Sequence, residues 1–165
     1  MQTRSWLSTE AIRLQFGKQC LVDGLELDLK PGLNMLLGRN GTGKTTLIRC
    51  LSGWITPQSG AVYIEQEAIQ EIDSKELARK LAVVRTRKDR PAYFPVLDFL
   101  KLGRFPYSGF WNQTSENDQR IIDRAIDQIG IQGLLSKNLD QLSDGEYQKV
   151  AIAQSLIQET PILLL

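Results

Sequence analysis

The sequence predicts an α/β fold with an antiparallel β part added near its N-terminus. Three observations carry that reading. Two early stretches alternate apolar and polar residues with the period of a half-buried strand. A nearly all-apolar run, Leu33 to Leu37, stands directly before a glycine-rich turn and a helical pattern. Beyond it, helical patterns alternate with short apolar runs, as they do where helices cover a sheet.

Ile12, Leu14 and Phe16 alternate with Arg13 and Gln15, and Leu25, Leu27 and Leu29 with Glu26 and Asp28, so each set predicts a strand with one buried face. Lys30-Pro31-Gly32 marks a turn. Leu33 to Leu37 reads as a strand buried on both faces. A helix is predicted from about Gly43 to Leu51, with Gly53 as its stop. Ala61 to Ile64 predicts a short strand. Asp73 and Glu76 have capping-box spacing for a helix through Lys80, and Leu81 to Val84 is a second short apolar run. Glu116 to Ile129 is the clearest helix, because Ile121, Ile122, Ala125, Ile126 and Ile129 share one face and Gly130 ends it. A further helix spans about Gly145 to Gln158. Pro161 breaks it, and Ile162 to Leu165 begins another apolar run.

Composition narrows the function. The 165 residues carry 20 Lys and Arg against 19 Asp and Glu, a net charge of +1, which argues against a nucleic-acid partner. At 42% hydrophobic and 24% charged, the chain has the balance of a globular domain. No apolar run approaches the ~18 residues of a membrane-spanning helix. The first residues lead into no apolar stretch of the kind a secretory signal has. Cys20 and Cys50 form neither a metal pattern nor a disulfide framework, which suits a reducing cytosol. With no His in the sequence, an imidazole base or a His-ligated metal is excluded for these residues.

The strongest motif is Gly38-Arg39-Asn40-Gly41-Thr42-Gly43-Lys44-Thr45, which reads G-x-x-x-x-G-K-[ST]. Polyphosphate is densely anionic, and consecutive backbone N–H groups wrap it only where the chain bends tightly. Gly38, Gly41 and Gly43 permit that bend and a close approach. The Lys44 ammonium reaches the β- and γ-phosphates, the Thr45 hydroxyl ligates Mg²⁺, and the following helix points its positive end at the anion. The candidate nucleotide-binding residues run from Gly38 to Thr46, in a P-loop NTPase core. The bland alternative is a glycine-rich turn capping an ordinary helix. Guanine readers usually carry Asn-Lys-x-Asp. Here Lys137-Asn138-Leu139-Asp140 has the wrong order, which favours adenine.

Leu142-Ser143-Asp144-Gly145-Glu146 is a helix start in which Ser143 is the N-cap and Glu146 the third helical residue, the spacing of a capping box. A helix N-terminus bearing a hydroxyl and a glycine is also a phosphate site. With the phosphate loop some hundred residues upstream, the order of motifs resembles the nucleotide-binding subunit of ABC transporters. Leu142 to Glu146 resembles that family's signature, Leu-Ser-Gly-Gly-Gln. The resemblance covers about Ala11 to Leu165. It implies one ATP-binding domain over residues 1–165 with a helical insertion at about 87–143. It gives Phe16 the role of stacking on adenine, against the alternative of a plain strand residue. Leu97 to Tyr107 looks like the iron-siderophore, haem and cobalamin importer branch.

The chain departs from the family pattern in several places. Thr86 falls where the family has the glutamine that senses Mg²⁺ and the membrane subunit. Asp144 replaces a Gly and Glu146 a Gln, and negative charge beside a γ-phosphate is unfavourable unless it is turned away or paired. Arg39 stands where Pro is common. In the family the run at Ile162 to Leu165 continues into Asp-Glu, which supply Mg²⁺ binding through water and orientation of the attacking water. Neither is present, so the sequence reads as a fragment ending before its Walker B carboxylates, with little or no ATP hydrolysis of its own.

The resemblance implies ATP and Mg²⁺ as ligands. It implies a second copy or second ABC subunit, with each ATP between the loop of one and Ser143 of the other. An integral membrane permease is the further partner, and the chain would lie peripherally on the cytoplasmic face of the cell membrane. The implied activity is ATP-driven import of an iron chelate or similar metal chelate. The alternatives are a non-catalytic ATP-binding fragment or another soluble P-loop phosphotransferase. More than half of the chain's aromatic rings fall between Asp89 and Trp111: Tyr93, Phe94, Phe99, Phe105, Tyr107, Phe110 and Trp111. They form either a small subdomain core or a partner interface, where aromatics concentrate. Arg85, Arg87, Lys88 and Arg90 precede them as a solvated loop or as contacts to nucleotide or partner.

Overall fold

The computed structural model describes residues 6–17, 19–84, 90–108 and 114–165. The chain forms two compact units, residues 1–77 and 78–165.

The first unit is built on a four-stranded antiparallel sheet in the order β2-β1-β3-β4, with β1 Leu7–Phe16, β2 Gln19–Leu29, β3 Ser59–Ile64 and β4 Glu67–Ala68. On β2 the expected alternation is present: Leu25, Leu27 and Leu29 are half-buried between exposed neighbours. On β1 the alternation changes phase. Leu7 and Thr9 are buried, then Ile12 and Leu14, so the inward set moves from odd to even positions. The cause is a bulge between Thr9 and Ile12, where Ala11 takes a positive φ of 44°. An extra residue on one strand shifts every later side chain to the other face. Gly60 on β3 lies against this bulge with a φ of 77°, and a Cβ there would meet the Glu10 carbonyl oxygen at 2.2 Å. Only glycine fits.

Helix α1, Lys44–Leu51, buries Leu47, Cys50 and Leu51. Gly53, with a φ of 77°, follows it at the expected stop. The Asp73 carboxylate accepts from the amides of Lys75 and Glu76 and so caps helix α2, Ser74–Lys80.

Leu33 to Leu37 departs from expectation. It forms no strand, and Leu33, Met35, Leu36 and Leu37 are 89%, 72%, 46% and 80% exposed. A strand buried on both faces needs ladder partners and layers above and below. No described strand pairs with this run, so it lacks the ladder partners that a buried strand needs.

The second unit pairs β5, Leu81–Val83, in parallel with β6, Ile162–Leu164. Its core is helical. Helix α3, Val96–Lys101, leads into a 3₁₀ segment, Leu102–Tyr107. Helices α4, Glu116–Ile129, and α5, Asp144–Ile157, complete it. Ile122, Ala125 and Ile126 pack in one cluster with Val96, Leu100, Val150 and Ile157, and Ile121 and Ile129 lie at its margin. Ser115 and Asp118 close a capping box at the start of α4, and Gly130 ends it with a φ of 71°. These match the face and the stop read from the sequence.

Candidate functional site

The glycine-rich loop is exposed and leads straight into α1. Gly43 is the N-cap, held at a φ of 90°, and Gly41 has a φ of 82°. A Cβ on Gly43 would meet the Leu21 side chain at 3.2 Å, and one on Gly38 would meet Thr42 Oγ1 at 3.2 Å. The bend therefore depends on missing side chains as well as on backbone freedom. Lys44 Nζ donates to the carbonyl oxygens of Gly38 and Arg39, both at 2.7 Å, and Thr42 Oγ1 donates to Arg39 O at 2.9 Å. The ammonium is thereby held over the loop it follows in sequence. Thr45 is exposed in the first helical turn, whereas Thr46 is half-buried. The N–H groups of that turn have no partner within the helix. Together these features fit a polyphosphate: helix-start amides that no helical carbonyl pairs, a helix dipole and a cation held at the loop. Among the described residues no three His, Cys, Asp or Glu side chains gather to hold a metal. A divalent ion here would use the Thr45 hydroxyl and the phosphates themselves.

The second motif opens α5 as its spacing predicts. Glu146 N donates to Ser143 Oγ at 3.3 Å, and Ser143 N donates to Glu146 Oε2 at 2.7 Å. Leu142 is buried in the helical core and anchors the segment, while Ser143, Asp144 and Gly145 are exposed. The two carboxylates that replace neutral residues are each paired. Lys137 Nζ lies 2.9 Å from Glu146 Oε1, and Arg90 pairs with Asp144. The Lys137 contact, followed by the Ser143 amide and hydroxyl, holds the Glu146 carboxyl down to about 2.

Nothing local in the sequence signals this pairing. Arg90 stands 54 residues from Asp144, and Lys137 stands nine from Glu146, across the turn before α5. Pairs brought together by folding leave no local periodicity to read. The other candidates lie elsewhere. Phe16 is the last residue of β1, paired with Gln19, and its side chain lies outside the description. Thr86 lies outside the described residues, as do Arg85, Arg87, Lys88, Phe110 and Trp111. Of the remaining rings, Tyr93 is 86% and Phe105 61% exposed, whereas Phe94 and Phe99 pack on the helical core. No helix among the described residues is long and apolar enough to cross a membrane.

Residues 22–165 match the family model described as ABC transporter. The chain is 33% identical over 160 residues to the ferric enterobactin transport ATP-binding protein of Escherichia coli strain K12, covering 96% of this chain and 59% of that one. It is 32% identical over 160 residues to the petrobactin import ATP-binding protein of Bacillus anthracis, again covering 96% and 59%. It thus spans about three fifths of the length of these relatives. Among solved structures, it matches an ATP-binding subunit of an ABC transporter with a TM-score of 0.82 at 21% identity, over 96% of this chain and 65% of that one. A dimeric ATP-binding cassette in a post-hydrolysis state, bound to ADP and phosphate, gives a TM-score of 0.76 at 23% identity, over 95% and 72%. The structural likeness establishes the fold, a P-loop NTPase α/β fold.

Proposed function

The chain belongs to the ABC transporter family, and from that premise we propose that it is the ATP-binding part of an importer of an iron chelate or similar metal chelate. The observation that carries the proposal is the phosphate loop: glycines at positive φ leading into α1, with the Lys44 ammonium poised over the loop carbonyls. Residues Gly38 to Thr46 hold the phosphates of ATP through backbone amides, and Lys44 supplies the positive charge. Its bonds to Gly38 and Arg39 exchange for phosphate oxygens when nucleotide enters. Thr45 holds Mg²⁺, which neutralises charge on the β- and γ-phosphates when bound. Phe16 stacks on adenine and Thr86 occupies the sensor position.

Ser143 is the contact to the nucleotide of a second copy or second ABC subunit, through a hydroxyl presented at the N-terminus of α5. In this reading, residues at about 87–143 form the helical insertion and dock on a membrane permease, so the protein sits peripherally on the inner face of the membrane. The iron-chelate assignment draws on relatives named for ferric enterobactin and petrobactin transport. ATP titration of wild type and Lys44→Ala tests the premise of the site. Loss of a charged hydrogen-bond donor to phosphate predicts affinity falling by about ten- to a hundredfold, the range of ~1.5–3 kcal/mol for such bonds. Unchanged affinity in a folded variant overturns it.

A further inference from the structure

The signature segment carries an electrostatic conflict. Asp144 and Glu146 lie in the first turn of α5, where carboxylates favour the helix by opposing its dipole. The same charges repel a polyphosphate approaching Ser143. The second unit answers with two cations, and one of them does more than cancel charge. Arg90 Nη1 donates to the Leu142 carbonyl oxygen, Nη2 donates to the Asp144 carboxylate, and its guanidinium carbon lies 4.8 Å from the centre of the Tyr147 ring. One planar fork thereby touches the residue before Ser143, the residue after it and a ring one helical turn on. Its side chain is only 13% exposed, so it belongs to the packed structure.

We propose that Arg90 is a positioning residue of this segment, fixing the backbone around Ser143 and neutralising Asp144 so that the segment accepts the phosphate of a second copy. The proposal rests on reading Ser143 as a nucleotide contact. The Ser143 oxygen accepts the Glu146 amide, which leaves the hydroxyl proton to be donated to a phosphate oxygen. Arginine suits the task because a guanidinium both forks and stacks, whereas an ammonium does neither. Lys137 performs the simpler office of pairing Glu146.

Nucleotide-driven association of two copies provides the test, measured by sedimentation velocity with Mg²⁺ and a slowly hydrolysed thiophosphate analogue of ATP. Arg90→Ala is expected to weaken association about fivefold, the upper range for a partly exposed charge pair. In an Asp144→Asn background the same change is expected to cost about twofold, because the charge it unmasks is gone and only the contacts to the Leu142 carbonyl and the Tyr147 ring are lost. Analogue affinity at protein dilutions that prevent association stays within about twofold, since the phosphate loop is untouched. Should Arg90→Ala fail to fold, Arg90→Gln runs the same cycle, keeping length and a donor for Leu142. Equal losses in both backgrounds, with wild type associating normally, overturn the role of Arg90 alone. Wild type that binds the analogue and never associates overturns the sandwich, and the role of Arg90 with it.

Discussion

Arg104 and Asp118 face each other at 2.7 Å, Nε to Oδ1, with only 10% and 14% of their side chains exposed. The pair ties the 3₁₀ segment after α3 to the first turn of α4. The same guanidinium donates to the Ile157 carbonyl and the Glu159 carboxylate, each at 3.0 Å, and lies 4.1 Å from the centre of the Tyr107 ring. Burial opposes the charge on Asp118, but bonds from Ser115 and Arg104 outweigh it and hold the carboxyl below its ordinary value.

Removing Arg104 leaves the Asp118 carboxylate with its Ser115 bonds alone. Arg104→Ala is expected to destabilise the second unit by about 2–3 kcal/mol, below the cost of a wholly unpaired buried charge. Arg104→Lys recovers only part of this, since one ammonium cannot reproduce the fork. Urea unfolding followed by circular dichroism measures both; a loss below about 1 kcal/mol for Arg104→Ala would contradict the buried pair.

The Glu146 carboxyl gives a pH prediction. Its ordinary value of 4.5 is lowered to about 2 in the folded chain, so its contribution to stability is complete above about pH 4.5 and lost as pH falls toward 2. Carboxyl carbon shifts from NMR should titrate near 2 in wild type. In Lys137→Ala the midpoint should move up toward 4.5. A wild-type midpoint already at 4.5 means that neither the Lys137 pairing nor the capping box holds the carboxylate in solution.

Two glycines of similar φ separate backbone strain from space. Gly60 and Gly130 have φ of 77° and 71°, but a Cβ on Gly130 meets nothing within 4 Å. Gly130→Ala is expected to cost about 1–2 kcal/mol, the penalty of left-handed backbone alone. Gly60→Ala adds a collision with the Glu10 carbonyl and is expected to cost about 2–5 kcal/mol. Equal costs in denaturant melts would show that the bulge relaxes freely.

The exposed aromatic rings divide in the same manner. Tyr107 donates its hydroxyl to the Gln158 carbonyl and lies against Arg104, so it belongs to the fold. Phe105 is 61% exposed, and Phe105→Ala should change stability by no more than about 0.5 kcal/mol. If this face docks on a membrane subunit, the same change weakens their co-purification. Retained binding, or a large loss of stability, counts against an interface role for Phe105.

What was legible in the sequence was local. The face of α4, the stop at Gly130 and the Ser143–Glu146 box each sit within a few residues, where spacing and side-chain chemistry coincide. The glycine bend before α1 was legible for the same reason, since Gly41 and Gly43 take their positive φ and Lys44 follows them within one turn. Leu33 to Leu37 was not, because an apolar run states a need for burial without naming what covers it. The pairing of Arg90 with Asp144 was hidden by distance along the chain. The phase change on β1 was hidden because Ala11 gives no warning of a positive φ.

That phase change has a consequence for how the strand tolerates substitution. Across Leu7–Phe16, a saturation scan should show sensitive positions at odd numbers before Ala11 and at even numbers after it, with a defect at the bulge itself. Deleting one residue there would bring the two halves back into a single rhythm. Leu7, Thr9, Ile12 and Leu14 would then follow one another on the same face with no offset, so a deletion at the bulge should damage this strand less than a polar substitution at Ile12 or Leu14.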